Sequence, residues 1–194
     1  MTTETNLIDI IQQFISEYTL QDKVKERINI FKTVRDFTYQ INWETTPEKL
    51  LTCKEWYCAS KHRLLKAIYE KLWYRAELCF LPFTFDMAYL PENLKDWWLA
   101  TKKWYHVFLK LWIDGKWIDI DATYNKGLND FYIVNQNRDW ITSQKMICEM
   151  QEVYVPKTQD EEREIKKKLS DPEGFTDNDW KRIEEYNDWI KSVS

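Results

Sequence analysis

The chain has 194 residues, a formal net charge of −4, 44% hydrophobic and 31% charged residues, values that fit one globular domain with a full core and a modest appendage. The acidic balance leaves no electrostatic footprint for nucleic acid, and no run approaches the ~20 apolar residues of a membrane span. The start, Met1-Thr-Thr-Glu-Thr-Asn6, lacks the basic segment and apolar run of a signal peptide, so the cytoplasm is the expected compartment.

In chain order, Leu7, Ile8, Ile10, Ile11, Phe14, Ile15 and Tyr18 form a helical stripe. A second helix is predicted from Gln21 to Asp36, burying Val24, Ile28, Ile30, Phe31 and Val34. Phe37 to Trp43 reads as a short extended segment, and Thr46-Pro47-Glu48 as a helical turn opened by proline. The central helix is predicted from Tyr57 to Leu72, with Leu64, Leu65, Ile68 and Leu72 on its apolar side. Ala76 to Phe85 reads as a strand, and Pro91 to Lys103 as an inserted helix or loop carrying Trp97 and Trp98. Trp104–Ile113 and Lys116–Ala122 then flank Asp114-Gly115, a pair suited to a two-residue type I′ hairpin turn. Glu152–Val155 is a candidate further strand. After Pro156 the composition changes to a charged run from Gln159 to Leu169. A turn at Asp171–Gly174 precedes a last helix, Asp177–Ser192, N-capped by Thr176.

The four cysteines, Cys53, Cys58, Cys79 and Cys148, have neither a disulfide framework nor paired metal spacing, and are read as thiols. Cys58 opens a helix, where unpaired N–H groups and the helix dipole favour negative charge, and Lys61 lies in the same turn. His106 enters the first hairpin strand. If Ile113 faces Lys116, the register carried back makes Asp121 the diagonal neighbour of His106, with Asp119 as the nearest competitor. Sulfur, imidazole and carboxylate in that order suit acyl transfer through a thioester. His62, four residues after Cys58, is the rival base. Helical side chains lean toward the N-terminus, which turns the sulfur away from His62 and favours His106.

Three separated motifs resemble a transglutaminase-like domain, in particular the bacterial and archaeal branch with a Gly-x-Cys-x-x-Lys motif. They are Val34-Arg-Asp-Phe-Thr-Tyr39 with Thr46-Pro-Glu-Lys-Leu-Leu51, then Trp56-Tyr-Cys-Ala-Ser-Lys61, and the hairpin from Tyr105 to Asn125. The resemblance covers roughly residues 20 to 155 and is best from 20 to 125. It implies an α+β, papain-like fold in which the cysteine-bearing helix packs on an antiparallel sheet. A helical N-terminal region precedes that core, within a domain spanning 1–155, and a charged helical appendage spans 156–194. It also implies Cys58, His106 and Asp121 as nucleophile, base and orienting group, acting on an amide-bearing peptide or protein without metal or organic cofactor. Trp56 stands in place of the glycine before the cysteine, Trp73 in place of the glycine after the helix, and Ala122 in place of the proline after the acid. The backbone N–H of Cys58 is the expected oxyanion donor, with an indole from Trp56 or Trp43 as a second and Tyr105 as a cleft wall. The alternative class is a non-catalytic peptide- or protein-binding module, in which Trp97, Trp98, Trp104 and Tyr105 are contacts.

Overall fold

The computed structural model describes residues 3–42, 51, 55–83, 90–95, 102–135, 142–144, 152–170 and 174–194. Two helices open the chain, α1 (Thr3–Tyr18) and α2 (Lys23–Arg35). Asp22 caps α2, its carboxylate accepting from the Val24 and Lys25 N–H groups. The strands β1 (Thr38–Tyr39) and β2 (Glu55–Trp56) pair in parallel, Tyr39 opposite Trp56. The sequence does not predict β2, because a two-residue strand carries no alternation to read. The expected turn at Thr46–Glu48, Trp43, Trp97, Trp98, Cys53, Cys148 and most of the expected turn at Asp171–Gly174 lie outside the described residues.

The other edge of the β1 segment is closed by side chains. Gln40 donates its N–H to the Trp56 carbonyl on β2. The alternate groups, Tyr39 N–H and Ile41 N–H, donate to the amide oxygens of Asn125 (3.1 Å) and Asn187 (2.9 Å). Asn187 in turn donates to the Ile41 carbonyl.

Helix α3 (Cys58–Lys71) begins and ends close to where the sequence places it. At its start Ser60 Oγ accepts from the Tyr57 N–H and donates to the Tyr57 carbonyl, so the entry is fixed by a side chain. At its end the Trp73 N–H reaches the Glu70 carbonyl, the Tyr74 N–H reaches that of Tyr69, and the two tyrosine rings meet edge to face. This is a Schellman ending, which needs a left-handed residue at the position after the cap. Trp73 fills it at φ 67° and is 95% exposed.

An antiparallel sheet of order β3 (Ala76–Phe83), β4 (Trp104–Ile113) and β5 (Lys116–Ile120) follows, with the short α4 (Glu92–Lys95) inserted. Asp114 and Gly115 turn the hairpin at φ 49° and 84°, the type I′ signature. Ile113 faces Lys116 and Leu109 faces Ile120, as the sequence register requires. The described ladder stops there, so β4 runs on to Trp104 beside β3 alone, with Leu81 opposite His106. Tyr154 bridges Phe80 on the outer edge of β3.

After a 3₁₀ turn (Lys126–Leu128) come α5 (Gln159–Leu169) and α6 (Asp177–Val193). Thr176 and Asp179 cap α6 reciprocally. Leu169, Ile183, Tyr186 and Ile190 are buried in the same cluster as Leu64, Leu65 and Ile68 of α3 and Val107, Leu109 and Leu111 of β4, so the C-terminal helices contribute to the core. Glu162 of α5 binds both Arg63 of α3 and Lys166. No helix among the described residues is long and apolar enough to cross a membrane.

Candidate active site

Cys58 is the first residue of α3, so its N–H has no acceptor within the helix. Its side chain is 9% exposed and lines a cleft with a free interior of about 50 Å³, room for a few water molecules. His106 shares that cleft, whose walls include Tyr39, Tyr57, Phe83, Trp104, Tyr105 and Phe175. Tyr105 is thus a cleft wall, and burial pushes its hydroxyl up to about 12. Trp56 is not among the cleft residues. Its indole is fully buried, stacks on Phe37 at 4.9 Å, and its Nε1 has no partner among the described residues. The β1–β2 pairing directs this ring into the core, which removes its indole as a second oxyanion donor. Trp73, at the far end of α3, is also remote from the cleft residues.

His106 Nε2 meets Asp121 Oδ2 at 3.1 Å, and both residues are 1% exposed. Asp121 follows the last residue of β5 and faces the stretch of β4 that β5 no longer covers. Its Oδ1 accepts the Thr123 N–H at 3.0 Å and the Thr123 hydroxyl at 2.6 Å. Its backbone is held as well, the N–H by Gln144 Oε1 and the carbonyl by Asn135 Nδ2. Asp119, by contrast, stands opposite Lys110, and its carboxylate lies 3.9 Å from that ammonium.

Electrostatics separate the two histidines. Burial by itself lowers the His106 pKa, but the charge and hydrogen bond of Asp121, joined by the Cys58 sulfur, outweigh it and hold the imidazole up at about 10. Burial opposes ionisation of Asp121 too, yet His106, His62 and Thr123 hold its carboxyl well below the usual carboxylate range. The second ring nitrogen of His106, Nδ1, is buried with no hydrogen-bond partner among the described residues. Asp121 occupies Nε2, so Nδ1 is the side left for sulfur.

His62 is built differently. Its Nδ1 lies 2.7 Å from the Cys58 carbonyl oxygen, which can only accept, and its Nε2 lies 2.8 Å from the Ala122 N–H, which can only donate. The ring is therefore the neutral Nδ1–H tautomer. Burial brings its pKa down to about 4, against the pull of Asp121. Such a ring has no spare proton or lone pair for a substrate, so the rival base is already occupied.

Lys61 does not stand beside the sulfur as a surface cation. It is fully buried, and its ammonium donates to the carbonyls of Arg35 (2.7 Å) and Thr123 (2.9 Å). Burial lowers its pKa well below the lysine range, against the pull of Asp36 and Asp121. Sequence reasoning missed Thr123, Asn135 and Gln144 as supports of the acid. The hairpin register carries one signal, since it places Thr123 opposite His106; the irregular segments bearing the other two give none. The chain matches no protein-family model, no curated protein and no solved structure.

Proposed function

We propose that the chain is a transglutaminase-like thiol enzyme, cleaving or transferring an acyl group at an amide or isopeptide bond. The observation that carries this reading is the His106 ring, with Asp121 on one nitrogen and the other nitrogen unpartnered among the described residues, in a cleft that both Cys58 and His106 line. A cysteine-bearing helix against an antiparallel sheet supports the papain-like arrangement that the sequence motifs imply.

The chemistry follows from these positions. The Cys58 sulfur attacks the carbonyl carbon, and a C–S bond forms as the oxygen takes the negative charge, facing the Cys58 N–H. The C–N bond then breaks and the leaving nitrogen takes the proton held by His106. Water, or an amine, attacks the thioester and gives a proton back to His106 while sulfur leaves. Asp121 keeps the imidazole in orientation and stabilises its charged form.

The test is intact-mass spectrometry after mixing the protein with the p-nitrophenyl ester of an acylated dipeptide. One acyl group is expected on Cys58, cleared by hydroxylamine and absent from Cys58→Ala. An adduct that persists in Cys58→Ala, or that spreads evenly over the other cysteines, overturns the proposal. The aromatic walls of the cleft favour a second reading, a peptide-binding module without chemistry. It predicts binding of the dipeptide with no adduct.

A further inference from the structure

His62 links the helix of the nucleophile to the chain segment of the acid. The two contacts of its ring are to the carbonyl of Cys58 itself and to the N–H of the residue directly after Asp121. The ring is fully buried, stands edge to face with His106 at 6.2 Å, and its Nε2 is 3.7 Å from Asp121 Oδ1. We infer that His62 is a positioning residue, a neutral imidazole strut that sets the spacing between the Cys58 end of α3 and the Asp121 carboxylate. Its functional meaning rests on the proposed thiol chemistry.

Three arguments support this role. First, the bridge needs a donor at position 122, and a proline there has no N–H to give. The alanine of this chain is what allows the imidazole to reach across. Second, the strut works only when neutral. An imidazolium has two N–H groups and no lone pair, so protonation turns the contact with the Ala122 N–H into a clash of two donors. The new Nε2–H would then face Asp121 Oδ1 and compete with His106 for the carboxylate. Third, the groups around the ring set these alternatives against each other. Asp121 favours the charged form, His106 and Lys61 disfavour it, and the Cys58 carbonyl accepts from Nδ1 in either form. Burial decides for the neutral ring at neutral pH.

The experiment uses the full chain, whose two histidines make long-range ¹H–¹⁵N spectra unambiguous. From about pH 5 to about pH 9, His62 is expected to show a protonated Nδ1 and a bare Nε2 throughout. Two variants then separate the contacts. His62→Gln keeps an acceptor near the Nε2 position, whereas His62→Asn keeps only a donor near Nδ1. Iodoacetamide labelling of Cys58 at neutral pH is expected to slow by about tenfold or more in His62→Asn. His62→Gln should lie between this variant and the wild type. A titration of His62 near its ordinary value, an Nε2–H tautomer, or a His62→Asn labelling rate that matches the wild type each overturns the inference. If neither variant folds, the tautomer and titration of the wild-type ring decide it. His106→Ala distinguishes the two levels. If it slows labelling while the His62 variants do not, only the strut fails; if it leaves labelling unchanged, the thiol-enzyme reading fails.

Discussion

The Lys61 ammonium and the Thr123 carbonyl oxygen are 2.9 Å apart, and both residues are buried. Thr123 is also the residue whose N–H and hydroxyl hold Asp121 Oδ1. A buried lysine thus stands one residue removed from the acid, tying it to the end of α2 through the Arg35 carbonyl. Lys61→Met keeps most of the volume but leaves two buried carbonyls without this donor. A loss on the order of 2–6 kcal/mol is expected, from roughly 1–3 kcal/mol for each of the two orphaned groups. Urea unfolding measures it. An unchanged midpoint would show that water replaces the ammonium.

Asp121→Asn and Asp119→Asn separate the two strand carboxylates. Asp121→Asn should slow Cys58 labelling by iodoacetamide, because an amide in the place of Oδ2 can hold the imidazole in the wrong tautomer. The same swap in a serine-protease triad costs ~10⁴ in turnover. Asp119→Asn removes only a partly exposed partner of Lys110 and should leave the labelling rate within about twofold. Cys79 is the internal control. Burial pushes its thiol up to about 12, so it should remain unlabelled while Cys58 reacts. Labelling of Cys79 first, or equal losses from the two aspartate variants, contradicts the assignment.

That distinction is legible in the amino-acid sequence alone, and the reason is physical. A two-residue turn at Asp114-Gly115 leaves one register, and Ile113 opposite Lys116 carries it along the hairpin. The cysteine helix is equally legible, since Leu64, Leu65 and Ile68 repeat at the spacing that buries one face. What the sequence does not disclose depends on contacts far apart in the chain. Lys61 reads as a cation at a helix start, and only the packing of α2 and the segment after β5 against it turns it into a buried donor. Trp56 reads as an indole donor beside Cys58, two residues before it, yet its pairing with Tyr39 and its stacking on Phe37 bury it.

The two histidines contribute opposite limbs to the pH dependence of stability, and Lys61 opposes the alkaline one. Between about pH 6.5 and about pH 4 the unfolded chain takes up a proton at His62 that the folded protein refuses. Stability therefore drops as pH falls through that window. Between about pH 6.5 and about pH 10 the folded protein keeps a proton on His106 that the unfolded chain has released. The His106 contribution therefore drops as pH rises through that one, opposed by Lys61, which gives up its proton at lower pH in the folded protein than in the unfolded chain. Urea midpoints at acidic, neutral and alkaline pH would trace both limbs. His106→Ala should flatten the alkaline limb and spare the acid one; loss of the acid limb instead would reverse the assignment of the two rings.

Trp73→Gly should stabilise the fold. The position after the cap of α3 is left-handed, a conformation that costs a side chain roughly 1–2 kcal/mol and costs glycine little. At 95% exposure the indole has little burial to lose. A gain of about 1 kcal/mol corresponds to a melting temperature higher by roughly 2–4 °C for a chain of this size. A lower melting temperature would mean that the ring makes a favourable contact which outweighs the strain.

Two carboxamides, from Asn125 and Asn187, stand in for a third strand along the free side of the β1 segment. An open edge with unpaired N–H and C=O groups is a template on which another chain can add itself. Here the alternate backbone groups at Tyr39 and Ile41 already have partners that belong to the same molecule. A side chain satisfies one or two groups and then stops, whereas a strand presents its own outer edge in turn. The short parallel ribbon in front of the cysteine helix is therefore terminated rather than extended, and the side chain that ends it at Ile41 comes from α6, which packs against β1.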